Sequence, residues 1–245
     1  MSEPRYIHDE EYHNSKAASR IIPVVIDLFH PHSVLDVGCG TGDFLKAFSD
    51  AGFSDLTGVE GDWLDRAKLK VDSRHVLTHD LEQPLSLGRR FDLVLCLEVA
   101  EHLAEHASKT LVASLVQHSD VIVFSAAVPY QGGQHHVNEQ WIDYWKNLFA
   151  KHHFLMYDPI RPLIWNDDDI FWWYRQNIVV CMSANSSFKF AGHEVNNYVH
   201  PELYLSKIAA MNAYREWVEK IFSGDIEVEL AQAILQNALN RKGIG

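Results

Sequence analysis

The sequence predicts an α/β protein with a doubly wound, mostly parallel sheet of seven strands, preceded by an N-terminal helix and followed by C-terminal helices. Strand and helix patterns alternate through the first two-thirds of the chain, as parallel βαβ units require. A short apolar run over 33–37 ends in glycines and leads directly into a helical pattern. The 245 residues are 47% hydrophobic, which is enough for one large globular domain.

The predicted elements follow one another at short intervals. Each strand is an apolar run bounded by turn residues, and each helix has apolar residues at i, i+3 and i+4 spacing. Strands are expected at 33–37, 56–60, 75–78, 91–97, 121–124, 153–157 and 175–182, and helices at 15–29, 43–50, 101–117, 138–150, from Pro201 onward and at 226–240.

A change in composition after Pro129 indicates where the common fold ends and additions begin. We expect a helical segment over 1–32, a central domain over 33–182 with an inserted loop at about 129–175, and a helical extension over 183–245. The amphipathic C-terminal helices could pack on the sheet or form a homodimer contact.

Charge and cysteine content exclude several classes of function. The net charge is −12, which argues against a general nucleic-acid binder and against docking on an anionic membrane. Three scattered cysteines form no CxxC pair and no disulfide framework. No apolar stretch approaches the roughly 18 residues of a membrane span, and the start of the chain is polar. We therefore expect a cytoplasmic protein.

The segment from Asp36 to Gly42 carries the first chemical information. Glycines let the backbone turn sharply and approach a ligand closely. The GxGxG spacing from Gly38 differs from the GxGxxG of dinucleotide enzymes, which disfavours a nicotinamide-dependent oxidoreductase, and the lysine of a phosphate loop is missing. An acidic residue beside this loop suits a ligand with an ammonium group. Glu60, at the end of the second strand, can accept both hydroxyls of a ribose.

Four ordered segments together resemble the class I S-adenosylmethionine-dependent methyltransferases: VLDVGCGTG, GVEGDW, HDLEQPL and FDLVLCLEVAEHL. The resemblance covers about residues 15–182. It implies the Rossmann-like methyltransferase fold, an enzyme that transfers a methyl group, S-adenosylmethionine as the cofactor and S-adenosylhomocysteine as its product.

The same resemblance implies a role for each matching residue. Asp36 would organise the glycine loop, Gly38 and Gly40 would cradle the methionine moiety, and Glu60 would bind the ribose. Further contacts are implied for Gly61 and Trp63 beside the adenine, Asp80 and Leu81 at the adenine amine, and Glu98 and His102 near the methyl group. The resemblance also implies that the segment over 1–32 is a helical lid, with Tyr12 and His13 as contacts, and that the insertion at about 129–175 is the substrate loop. Purely structural alternatives are helix packing for Trp63, a turn cap for Asp80 and ordering of a helix start for His102.

The loop QGGQHHVNEQW, after the fifth strand, is expected on the same sheet edge as the cofactor. Methyl transfer to an alcohol requires removal of its proton, and histidine accepts protons near neutral pH. We expect His136 or His135 to be the general base, with Glu139 or Asn138 orienting it. The pair could instead make only loop-stabilising hydrogen bonds.

A divalent metal is a further alternative, which we do not favour. His135, His136, Glu139 and the acidic run 167–169 could supply ligands. Adjacent histidines point in different directions, however, and such an acidic run is usually a solvated turn.

The acceptor is expected to be a small molecule. Five of the seven tryptophans lie between 141 and 173; most of them should close a hydrophobic core, and one or two could stack on a sugar or a flat ring. The phrases QGGQHHVNEQW and WWYRQN resemble a bacterial-type subgroup associated with glycan and polysaccharide assembly, which implies O-methylation of a sugar, nucleotide sugar or glycan. Alternatives are N- or C-methylation of another metabolite and a non-catalytic cofactor-binding module; the charge disfavours methylation of nucleic acid.

Overall fold

A computed structural model describes residues 15–186, 188 and 195–241. The chain divides into two compact units, one up to His200 and one from Pro201 onward. The three-part division expected from the sequence stays a prediction.

The first unit contains a seven-stranded sheet with helices on both faces, which confirms the predicted fold class. Its strands are β1 (Ser33–Val37), β2 (Asp55–Glu60), β3 (Val76–Thr78), β4 (Leu93–Leu97), β5 (Val121–Ser125), β6 (Phe154–Tyr157) and β7 (Val179–Ser183). Its helices are α1 (Ser15–Phe29), α2 (Asp43–Asp50), α3 (Ser108–His118), α4 (Ile142–Ala150), α5 (Arg161–Ile164) and α6 (Trp172–Asn177).

The strand order is β3-β2-β1-β4-β5-β7-β6. The first five strands are parallel, whereas β7 runs antiparallel to both β5 and β6. The carboxyl ends of β1, β2 and β4 therefore meet at one edge, and the register pairs Asp36 with both Gly58 and Leu95. Because β7 is reversed, its amino end lies at that same edge.

Two hydrophobic clusters cover the two faces of the sheet and explain why the residues of β1, β4 and β5 are all buried. One cluster includes Trp145 and Phe149 of α4; the other includes Ile21 of α1 and Phe48 of α2. Each such fully buried side chain contributes about 1.5–3 kcal/mol. Trp145 is one of the tryptophans expected in the core, whereas Trp141 is 42% exposed.

Three elements begin four or more residues later than the sequence predicts. The helix expected over 101–117 begins at Ser108, because two 3₁₀ turns, Ala100–His102 and Glu105–Ala107, precede it. The helix expected from 138 begins at Ile142, since Asn138 uses its amide to bind Ala100 O and Ser108 Oγ. The strand expected over 175–182 begins at Val179, and α6 occupies the residues before it.

The second unit contains α7 (Pro201–Ser223) and α8 (Val228–Arg241). Pro201 opens α7 as predicted, which suits its fixed φ and missing N–H. Within the described ranges, no helix combines the length and the apolar character needed to cross a membrane. The three cysteines, Cys39, Cys96 and Cys181, are buried free thiols.

Candidate functional site

A cavity of about 430 Å³ opens at the carboxyl edge of the parallel strands. Ligands bind at this edge in doubly wound sheets because the strand-to-helix loops there are free to vary. The cavity brings together most of the residues that the sequence singled out: Asp36, Gly38, Gly40, Glu60, Trp63, Asp80, Leu81, Glu98, His102 and His135. Tyr12 and His13 lie outside the described residues.

The glycine loop has the shape that its sequence predicts. Gly38 has φ +80°, and a Cβ there would lie 2.3 Å from Cγ2 of Val99. The N–H groups of Gly38 and Cys39 both donate to the carbonyl of Val59, at 2.8 and 3.1 Å. The loop is thereby fixed against β2, and no side chain can replace the hydrogen of Gly38 without displacing Val99.

Glu60 connects the end of β2 to this loop. Its Oε2 accepts from the N–H of Gly40 at 2.7 Å and its Oε1 from the N–H of Gly61 at 2.8 Å. Burial raises the pKa of Glu60, and the two backbone donors oppose that rise. Each carboxylate oxygen still has a free lone pair, so the group can also accept hydroxyls from a ligand.

Asp36 is buried on the cavity wall, and its Oδ2 has no hydrogen-bond partner within the part of the chain that the structure describes. Burial, followed by repulsion from Glu60 and Asp43, raises its pKa to about 8. Burying a hydrogen-bond acceptor without a donor raises the free energy of the folded protein. An ammonium group or another donor bound in the cavity would satisfy it, so the methionine moiety of S-adenosylmethionine fits this end.

Of the residues expected at the adenine, Trp63, Asp80 and Leu81 line the cavity. The ring of Trp63 lies against Gly61, where a Cβ would be 2.2 Å from Cη2 of the indole. Gly61 is not itself part of the lining, so its role is to admit the ring. Asp80 both lines the cavity and accepts from the N–H of Glu82 at 3.0 Å. Asp80 therefore caps the turn and lines the cavity at the same time.

Glu98, at the end of β4, is held by amide groups that sequence reasoning missed. Asn177 Nδ2 donates to both carboxylate oxygens, at 3.1 and 3.2 Å, and Gln131 Nε2 donates to one of them at 3.3 Å. Its backbone has φ +53°. Burial raises the pKa of Glu98, while Ser125 and the amides oppose the rise. The polar pair Gln176-Asn177, directly before an apolar strand, was the available signal.

The two adjacent histidines occupy different surroundings. His135 lines the cavity, is exposed and has φ +54°. His136 does not line it; its Nδ1 lies 2.9 Å from Oε1 of Glu139, which also accepts from the N–H of Gly132 at 2.6 Å. The imidazole of His136 meets that of His102 edge-on, with ring centroids 5.0 Å apart.

Glu101 is a second residue that sequence reasoning missed. Its side chain is fully buried, and neither carboxylate oxygen has a hydrogen-bond partner among the described residues. One ligating atom from each of Glu101, His102 and His136 lies within 4.8 Å of the others. The EVAEH pattern, with carboxylates three residues apart and a histidine next to the second, was the available signal.

The three aspartates of the acidic run 167–169 form ion pairs with cationic side chains. Asp167 pairs with Arg20, Asp168 with Arg175 and Asp169 with Lys16, at 2.7, 3.1 and 2.7 Å. Of the residues that the structure describes, this run is not in the cluster of potential metal ligands. These ion pairs do not support the metal alternative built on 167–169.

Comparisons with known proteins agree with this architecture. The family described as "Methyltransferase domain" matches residues 6–159. Ubiquinone biosynthesis O-methyltransferase of Alkalilimnicola ehrlichii is 32% identical over 103 residues, which are 38% of this chain and 40% of that protein. The match thus spans about two-fifths of the curated relative.

Two solved structures show the same fold. DesVI of Streptomyces venezuelae is 16% identical, with a TM-score of 0.54 over 73% of this chain and 100% of that one. The plantazolicin methyltransferase BpumL in complex with SAH is also 16% identical, with a TM-score of 0.50 over 71% of this chain and 86% of that one.

Proposed function

Because the chain belongs to the methyltransferase-domain family, the class I S-adenosylmethionine-dependent methyltransferases, we propose that it methylates a hydroxyl oxygen of a small molecule. We propose a sugar, nucleotide sugar or glycan as the acceptor. The observation that carries the proposal is that one cavity is lined both by Asp36 and Glu60, which are expected at the cofactor, and by His135.

In this proposal the chain's own groups fix the cofactor before reaction. Glu60, itself fixed by two N–H groups, accepts from the ribose, and Asp36 faces the ammonium group. The bound cofactor supplies an electrophilic methyl group: the acceptor oxygen forms the new C–O bond, the C–S electron pair stays on sulfur, and the hydroxyl proton goes to a base. Alignment of acceptor and methyl group supplies much of the rate.

We assign the base to His135, because it lines the cavity whereas His136 does not. A positioned base contributes about 10²–10⁴-fold. His136 keeps its Nδ1 on Glu139, which is the orientation that the sequence predicted for a base. His136 therefore remains the alternative base.

Three features support the proposed acceptor: the first supports a hydroxyl group, and the other two support a sugar. The curated relative is named as an O-methyltransferase. Tyr130 and Trp141, on the loop that carries the histidines, are 85% and 42% exposed and present aromatic faces of the kind on which sugars stack. The loop sequence resembles the glycan-associated subgroup.

Two further parts of the proposal concern the cellular compartment and the oligomeric state. Three buried free thiols fit a reducing compartment, for which we propose the cytoplasm. Several large apolar side chains of α7, among them Leu205, Met211 and Phe222, are exposed, and a homodimer through the C-terminal helices stays a prediction.

The test is release of S-adenosylhomocysteine across sugars, nucleotide sugars, phenols and amines. We expect release with hydroxyl acceptors, and we expect His135→Asn to lower kcat by about 10²–10⁴-fold without changing S-adenosylhomocysteine affinity. His106→Asn, at an exposed histidine outside the cavity lining, is the matched control. Release with amines alone would replace O-methylation by N-methylation, and a full rate in His135→Asn with loss in His136→Asn would move the base to His136.

A further inference from the structure

We propose that Glu101, His102 and His136 form a divalent-cation site beside the cavity, and that the ion binds an acceptor with two neighbouring hydroxyl groups. The inference rests on the proposed function, since the ion's ligand is the substrate of that reaction. The proposed site differs from the metal alternative expected from the sequence, and the two sets of ligands share only His136.

The first support is the distance between the three groups. One imidazole nitrogen each from His102 and His136 and one oxygen of Glu101 lie within 4.8 Å of one another. Ligands of one first-row cation lie about 2.0–2.2 Å from it, and hence no more than about 4.4 Å from each other. A small rotation of these side chains is enough to bring them to bonding distance.

The second support is the carboxylate of Glu101. It is 0% exposed, and both oxygens lack a hydrogen-bond partner among the residues described. An uncompensated buried charge is strongly unfavourable, so such a group needs a cation or a proton.

The backbone shows that this juxtaposition is built into the fold. The carbonyl of Glu101 accepts from the N–H groups of Val137 and Asn138, at 2.9 and 3.1 Å. These bonds join the turn after β4 to the loop that carries His136. The buried amide of Asn138 adds a bond to Ala100 O at 3.3 Å, so both sides of the cluster are tied together.

The third support is the orientation of His136. Its Nδ1 is engaged by Glu139 at 2.9 Å, and Nε2 is the nitrogen left for an ion. A metal-binding histidine is usually held by a carboxylate, a backbone carbonyl or a water on its other nitrogen, and Glu139 is such a carboxylate. The N–H of Gly132 fixes Glu139 in turn, at 2.6 Å.

The ligand set indicates both the ion and its substrate. Two imidazoles and one carboxylate favour Mn²⁺, Co²⁺ or Zn²⁺ over Ca²⁺ and Mg²⁺. Three protein ligands leave coordination positions open, and two neighbouring hydroxyls of one acceptor can occupy two of them. The ion makes a bound hydroxyl more acidic. His135, on the cavity wall, then receives the proton while the oxygen takes the methyl group and the C–S electron pair stays on sulfur.

The experiment begins with full-length protein stripped by EDTA and then dialysed. Mn²⁺ binding is measured by electron paramagnetic resonance and Zn²⁺ binding by calorimetry. We expect one ion per chain, with affinity at least about tenfold lower in Glu101→Gln, in His136→Asn and in the orienting variant Glu139→Gln. His106→Asn is the matched control and should bind as the wild type does. S-adenosylhomocysteine binding and circular dichroism establish that each variant is folded.

The outcomes separate the two proposals. Stoichiometric Mn²⁺ binding that Glu101→Gln weakens, with diol methylation restored to stripped enzyme by Mn²⁺, supports the site and its role. Stripped wild-type protein that binds S-adenosylhomocysteine but neither ion at millimolar concentration overturns the inference, whatever the variants do. Full methylation of diols in EDTA also overturns it and leaves the proposed function intact. Ion binding without methylation of any hydroxyl overturns the proposed function and the role of the ion in it.

Discussion

The carboxylate of Glu60 accepts a hydrogen bond from the N–H of Gly40 at 2.7 Å, and this hydrogen bond joins the end of β2 to the loop that follows β1. The second oxygen accepts the N–H of Gly61 at 2.8 Å. One buried side chain therefore fixes the loop, and it also presents the acceptor that we propose for a ribose.

Glu60→Gln should weaken S-adenosylhomocysteine binding. The amide places an NH₂ group where an N–H donor already points and removes a charged acceptor, which costs about 1.5–3 kcal/mol. We expect affinity to fall by about 10- to 100-fold in isothermal titration calorimetry. Asp62→Asn, at an exposed carboxylate two residues away, should bind normally. Equal affinities in the two variants would refute the ribose assignment.

Gly38→Ala should destabilise the protein more than Gly88→Ala does. Both glycines have positive φ, but a Cβ at Gly88 meets nothing within 4 Å, whereas one at Gly38 lies 2.3 Å from Val99. The left-handed conformation costs about 1–2 kcal/mol in each variant. Overpacking adds about 1–3 kcal/mol at Gly38.

Thermal melting measures this difference, at about 2–4 °C per kcal/mol for a protein of this size. Adding Val99→Ala to Gly38→Ala should recover the overpacking part alone. Identical melting temperatures for Gly38→Ala and Gly88→Ala would show that the loop relaxes around the new methyl group.

Asp36→Asn should change how stability depends on pH. The pKa of Asp36 is about 8 in the folded protein against an ordinary value of 3.8. Its contribution to stability is therefore fully present below pH 3.8 and is lost as the pH rises through 8. The loss amounts to at most about 1.4 kcal/mol per pH unit.

Urea denaturation at pH 5, 7 and 9 checks this sign. The asparagine variant cannot titrate at this position, so its stability relative to the wild type should grow with rising pH and level off above about pH 8. A difference that stays constant from pH 5 to 9 would mean that Asp36 does not retain its proton in that range.

Asn177→Ala should lower stability through Glu98. The substitution removes the donor to both oxygens of a buried carboxylate, and a buried acceptor left without its partner costs about 1–3 kcal/mol. Thermal melting should show a decrease of about 2–4 °C for each kcal/mol. Asn166→Ala, at an exposed position in the same region, is the control and should melt like the wild type.

The cofactor end of the site could be predicted because its determinants are local. Asp36, Gly38 and Gly40 lie within five residues on one loop, and the parallel sheet forces the end of β2, with Glu60, to the same edge. Strand alternation and glycine spacing contain this information directly.

The acceptor end could not be predicted in the same way. Asn177 is 79 residues from Glu98, and their contact depends on the reversed direction of β7. Glu101 belonged, in sequence, to a regular helix, but the 3₁₀ turn Ala100–His102 buries it instead. The surroundings of Glu98 and Glu101 depend on contacts between loops that are distant in sequence, and no local sequence pattern predicts such contacts.

The reversed strand also sets a lower limit on the length of chain that can fold. The family match ends at residue 159, before β7 begins. A fragment trimmed there would leave β5 as an open edge and Glu98 without Asn177. An expression fragment must therefore extend at least to Ser183, and the chain that ends at 159 should aggregate.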